Sequence, residues 1–159
     1  MKKILFFILI ALFAFPLGSF AAQTPAVAAI DVTPLPGQTL AAKQKTVEAG
    51  LRDMIARLTK LSAKTQLTIN QLAANDIDTS ASQASLALAN KSLARAKLDV
   101  DAFAGITVSG TKSPALTLST LKYTANTAES TIQEAKARIL ESLAALKASL
   151  GTTDSATAQ

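Results

Sequence analysis

The sequence predicts an all-α fold: three long antiparallel helices forming a bundle, or a coiled-coil-like hairpin pair. Three observations predict it. Apolar residues recur every seven between Thr39 and Asn75, with Leu40, Val47, Met54 and Leu61 on one row and Leu51, Leu58 and Leu72 on the row beside it. That alternation of three and four is a coiled-coil seam, held over about five heptads. The seven-residue repeat returns later in Leu118, Ala125, Ile132, Ile139 and Leu146. Between the two, only two stretches interrupt helical patterning, and the first is short enough to fold its neighbours back antiparallel. A helix as long as the first cannot bury its stripe alone, and the rest of the chain supplies partners.

Residues 1–21 read as a secretory signal peptide. Lys2 and Lys3 form a basic start, Ile4 to Phe15 is an unbroken apolar run of twelve, and Pro16 and Gly18 break it before Ser19-Phe20-Ala21. Small residues there suit a signal peptidase, with cleavage expected after Ala21 or, alternatively, Ala22. The competing reading is a retained membrane anchor, but a spanning helix needs about 20 apolar residues. The chain has no Cys, so a lipid-anchored lipoprotein is excluded and an exported domain must be held by packing without disulfides. Removal of the signal takes five of the six Phe residues and lowers the formal charge from +5 to +3. The expected location is exported, either periplasmic or extracellular, with membrane contact only through the signal peptide before cleavage.

Residues 22–38 hold Pro25, Pro34, Pro36 and Gly37 among small residues. Proline at this density prevents a helix and favours an extended tether, a spacer or a processed end. The domain follows at 39–151, with helices expected at about 39–75, 79–104 and 114–150, and a polar, disordered tail at 152–159. In the first helix, Glu48–Arg52 and Asp53–Arg57 stand at i,i+4 in the favourable order on the exposed side. Gln44, Thr65 and Thr68 fill gaps in its seam. One buried polar residue can set register, but the few large side chains on the partner helices favour a thin, wet region at these positions.

Asn75-Asp76-Ile77-Asp78 is the first break, since Asn and Asp hydrogen-bond nearby backbone in turns. Asp78 or Ser80 can cap the next helix, and Ser80 with Gln83 fits a capping box. The seam of the second helix is Leu86, Ala89, Leu93, Ala96, Val100 and Phe103, alternating large and small, with Arg95–Asp99 and Lys97–Asp101 outside. Residues 105–113 form the one long internal loop. Gly105 offers a left-handed cap, Ser113-Pro114 a helix start, and Ile106 and Val108 apolar cover for the end of the core. In the third helix Leu121, Ala128 and Ala135 join the heptad repeat, Leu140, Leu143 and Leu150 widen the stripe, and Gly151 is the expected stop.

The chemistry on offer is narrow. With no His and no Cys, the commonest general base, thiol nucleophiles and most transition-metal ligands are missing. Asp99 and Asp101 diverge on a helix, and Asp76 and Asp78 sit in a turn without the Gly and distal Glu of a calcium loop. The Ser residues have no base to activate them. Nucleic-acid binding would need a basic stripe and aromatic platforms; the Lys and Arg are interspersed with acids, and Tyr123 is a single ring expected at the bundle edge with its hydroxyl in water. Asn90-Lys91-Ser92 matches a glycosylation sequon but lies mid-helix. No catalytic, cofactor-binding or metal-binding residues are expected, and no cofactor.

The run from Arg57-Leu58 through Leu61 and Leu72, the turn into Ile77-Asp78-Thr79-Ser80-Ala81, and the Ala- and Leu-rich stretch from Glu134 to Leu150 resemble a class of proteins. These are exported, alanine-rich, coiled-coil-like helical proteins of small-genome candidate-phylum bacteria, themselves uncharacterised. Such proteins often place Gly in the first turn, where this chain has Asn75-Asp76. The resemblance implies a bacterial envelope protein and transfers no activity. The expected function is a non-enzymatic structural or protein-interaction module of the cell envelope, working through an unknown protein partner or self-association. The alternatives are a periplasmic holdase-type chaperone, clasping apolar clients on Ala/Leu faces, and an amphipathic membrane-surface protein.

Overall fold

The computed structural model describes residues 29–108 and 113–156. It contains three α-helices packed on one another: α1 (Leu40–Ala73), α2 (Ser80–Ala104) and α3 (Pro114–Ala156). The signal-peptide reading, most of the 22–38 segment's first half, the middle of the long loop and the last three residues lie outside the described residues.

Each helix end has a local cause. Thr39 caps α1, its Oγ1 accepting from the Ala42 N–H at 3.2 Å. At the other end the chain closes a Schellman motif: Ile77 N donates to Leu72 O and Asp76 N to Ala73 O. The left-handed residue this motif needs is Asp76, with φ +59°, at the position where glycine avoids steric cost. The expected Ser80–Gln83 capping box does not form. Ser80 is already the first helical residue of α2, so Asp78 Oδ1 takes its N–H at 2.9 Å, and Gln83 Nε2 reaches the Thr79 hydroxyl instead. Nor is Gly105 left-handed; its φ is −73°, and its N–H bonds back to Asp101 O. Gly151 does not end α3, which continues to Ala156, so the expected disordered tail is corrected for residues 152–156. A single glycine in a helix costs only about 1 kcal/mol relative to Ala.

The seams of α2 and α3 close as their spacing predicts. Leu86, Ala89, Leu93, Ala96, Val100 and Phe103 are buried, as are Leu121, Ala125, Ala128, Ile132, Ala135, Ile139 and Leu146. Alanine at alternate positions brings these two backbones close, and their contact is the most extensive in the bundle. Ser82 and Ser142 meet there in a reciprocal clasp: each hydroxyl donates to the other's carbonyl at 2.9 Å.

In α1 the centre of the buried stripe is shifted. Gln44, Leu51, Leu58, Thr65 and Leu72 form its axis, flanked by Ile55, Ser62 and Ile69. Leu40, Val47, Met54 and Leu61 are only partly buried, packed on its edge. The wet region expected at Gln44, Thr65 and Thr68 is therefore corrected: all three are buried. The two threonines satisfy their hydroxyls on their own helix, bonding to Leu61 O and Lys64 O. Gln44 bridges elements, its Nε2 donating to Phe103 O at 2.9 Å and Ile106 O at 3.0 Å. It thereby caps one C-terminal carbonyl of α2 and holds the start of the loop, whose Ile106 and Val108 pack on the core.

The described part of the Pro-containing segment is not a free tether. Val32 is fully buried in the core cluster, and Ile30 packs against it. Leu35, Pro36, Gly37 and Gln38 make a turn closed by Gln38 N to Leu35 O at 2.9 Å, with Gly37 at φ +82°. Proline second and a positive-φ glycine third are the requirements of a type II turn. This turn lays residues 29–34 back along the bundle as a strap.

Candidate functional site

Two surfaces concentrate polar chemistry. The first is an open groove of about 490 Å³ lined by Arg95 of α2 and by Tyr123, Asn126, Thr127, Ser130, Thr131 and Glu134 of α3. Thr131 lies at its floor, and its Oγ1 contacts Asp99 Oδ2 at 2.8 Å and Thr127 O at 3.0 Å. Thr127 in turn donates to Tyr123 O. These hydroxyls are committed to backbone carbonyls and one carboxylate, which tie α3 to α2 and leave none of them activated as a nucleophile. Tyr123 is 75% exposed, at the edge of the bundle.

The second is the strap's seat. Asn126 Oδ1 accepts the Ile30 N–H at 2.9 Å. Asp31 stays exposed; its carboxylate is held below the ordinary value first by the hydroxyl and N–H of Thr33, and further by the positive charges of Lys43 on α1 and Lys122 on α3. The strap is bonded to α3 through Asn126, which links the two surfaces, and carries Asp31 in the field of Lys43 on α1.

The carboxylates singled out by sequence are spent on structure. Asp99 and Asp101 do diverge: Asp99 turns to Thr131 on α3, and Asp101 pairs with Arg52 on α1 at 2.8 Å. Arg52 also holds Glu48, so one guanidinium joins α1 to α2 through two acids, which raise its pKa. Arg57 pairs with Asp53. The expected Arg95–Asp99 and Lys97–Asp101 pairs are replaced by these cross-helix contacts. Asp76 makes a turn, and Asp78, with its pKa lowered by the backbone and hydroxyl of Ser80, starts a helix. Asn90 accepts from Ser62 at 2.6 Å, joining α1 to α2.

Glu129 is the carboxylate that sequence reasoning passed over. Its Oε2 is the one buried side-chain oxygen or nitrogen without a hydrogen-bond partner among the described residues. Burial raises its pKa. Its place three and four residues from Ile132 and Ala125, at the margin of the α3 stripe, was the available signal. No group of three or more acids that could hold a metal ion occurs among the described residues. No described helix is long and apolar enough to cross a membrane. The exposed large apolar residues, Leu35, Leu67, Leu88, Leu98, Leu116 and Tyr123, are spread over the strap turn and all three helices.

No protein-family model, no curated protein and no solved structure matches this chain.

Proposed function

We propose that this protein is a non-enzymatic, exported structural or protein-interaction module of the cell envelope. The observation that carries the reading is how the polar groups are used. Gln44, Ser62, Ser82, Thr131 and Ser142 are buried and spend their hydrogen bonds on holding helices and loop together. What remains outward is helical surface that carries ion pairs such as Arg57–Asp53 beside further lysines, which suits presentation to a partner. Export rests on the basic start and the apolar run of residues 1–21.

The test has two parts. The chain is expressed with a reporter that is active only outside the cytoplasm, and cross-linking in intact envelopes follows. The reading expects an active reporter, a mature protein beginning near Ala22, and discrete cross-linked protein partners or multimers. A chain that stays inside, or one that turns over a small molecule in envelope extract, would overturn it.

A further inference from the structure

We infer that the seat of the strap, between the N-terminal halves of α1 and α3, is a peptide-recognition groove that the chain keeps closed with its own residues 30–32, and that its outside ligand is an extended segment of a partner protein with apolar–acidic–apolar alternation. The inference deepens the interaction-module reading and rests on it. The strap shows what the groove accepts. Val32 is fully buried, and Ile30 lies two residues away against the same core. Asp31 between them points outward, close enough to Lys43 and Lys122 to feel both charges. Side chains alternate in an extended chain, so Ile30 and Val32 face the core while Asp31 faces outward, its carboxylate accepting the Thr33 N–H at 2.9 Å in the positive field of Lys43 and Lys122. Asn126 adds a grip on the main chain through the Ile30 N–H. Buried side chains, a charge pair of sites and a main-chain hydrogen bond are the components by which grooves read extended peptides.

The closure is light. One side-chain-to-backbone hydrogen bond, the fully buried Val32 and the partly buried Ile30 hold the strap, and the turn that returns it to the bundle depends on Gly37. No atom lies within 4 Å of a Cβ placed on Gly37, so a substitution there strains only the backbone. Glycine supplies the positive φ without cost, whereas alanine does not. An outside peptide binds only the fraction of molecules whose strap is off, which lowers its apparent affinity by that fraction. Loosening the turn raises the fraction without touching the groove.

The experiment titrates a synthetic peptide of the sequence Ala29–Leu35 into the ¹⁵N-labelled chain and follows the amide and side-chain signals of Lys122 and Asn126. The chain is used unaltered, as Val32→Glu, and as Gly37→Ala. Saturable shifts at these residues are expected in both variants, with affinity roughly tenfold tighter than for the unaltered chain in Val32→Glu and an intermediate gain in Gly37→Ala. A peptide carrying Glu in place of Val32 should not bind, and Asn126→Ala in the Gly37→Ala background should weaken binding. If Val32→Glu loses helicity, Gly37→Ala decides, because it alters neither strap nor groove side chains. A Gly37→Ala dimer whose straps cross between copies would make a second copy of this chain the occupant and would overturn the partner-peptide inference. Helical variants whose Lys122 and Asn126 signals ignore the peptide would overturn it, as would equal affinity for all three chains. Either result leaves the export and cross-linking test above untouched, so the groove can fail while the module reading stands.

Discussion

Replacing Gln44 with Met isolates what one buried amide contributes to this bundle. Gln44 is 7% exposed, and its Nε2 donates to two carbonyls at 2.9 and 3.0 Å, Phe103 O at the end of α2 and Ile106 O in the loop beyond it. Met has nearly the same volume and flexibility, so packing is kept while both hydrogen bonds go. A typical intramolecular hydrogen bond contributes about 0.5–1.5 kcal/mol net. Two of them give a loss of about 1–3 kcal/mol. For a domain of this size that is a fall in Tm of roughly 4–12 °C. Gln44→Ala should cost more, because a cavity is added to the lost bonds. Leu51→Ala, one heptad further along the same buried row, sets the scale for a pure cavity at about 2.7–5 kcal/mol. Urea unfolding followed by helical circular dichroism measures these losses, and an unchanged denaturant slope confirms that the unfolded state is the same. A Gln44→Met chain within about 0.5 kcal/mol of the unaltered protein would refute the reasoning. The position would then require only volume, and the α2 cap would have no energetic role.

Three further outcomes follow from the same geometry. Asp76→Gly should stabilise the chain by about 1 kcal/mol, because the φ of +59° that closes the Schellman motif suits glycine better than any L-residue; a rise in Tm checks it. Ser82→Ala and Ser142→Ala should each cost about 1 kcal/mol, yet the double variant should cost less than their sum, since removing both hydroxyls leaves no unpaired partner in the clasp; a double-mutant cycle measures the coupling. Glu129 has a raised pKa caused by burial. Its contribution to stability is therefore fully present below the ordinary carboxylate value and is lost as pH rises through the raised one. Glu129→Leu should accordingly gain Tm over the unaltered chain at neutral pH and lose that advantage at about pH 4; an equal difference at both would contradict the burial of its Oε2.

The three helices and the α2 and α3 seams were legible because Leu, Ile, Val and Ala carry them at clean seven-residue spacing. The α1 stripe was legible in existence and misplaced in angle. Its axis includes Gln44 and Thr65, placed in the seam by spacing but expected to be wet, with Ser62 beside it, and hydropathy alone does not bury such residues. A threonine that bonds to the carbonyl four residues back hides its hydroxyl and packs like valine, so it can sit at the centre of a seam. The strap was harder. Ile30, Asp31 and Val32 alternate as a half-buried extended segment does, but three residues among prolines give too short a pattern to stand out. The direction of Asp99 and Asp101 was readable from helical spacing; their partners, Thr131 and Arg52, depend on register between helices, which no single helix contains. The closure of α1 by Asp76 in a left-handed conformation replaces the glycine that such turns commonly use, and the same Asn-Asp pair that announced a turn supplied it.

The three seams close on one another within one chain, which leaves the outer faces and the strap's seat for the proposed interactions. Light scattering on the chain from Ala22 onward, over a wide concentration range and with helicity followed alongside, tests it most directly. A monomer is expected, with high helicity that does not change with concentration. Helicity that grows with concentration, or a stable oligomer at the lowest concentration measured, would contradict it, since the seams would then be interfaces between chains.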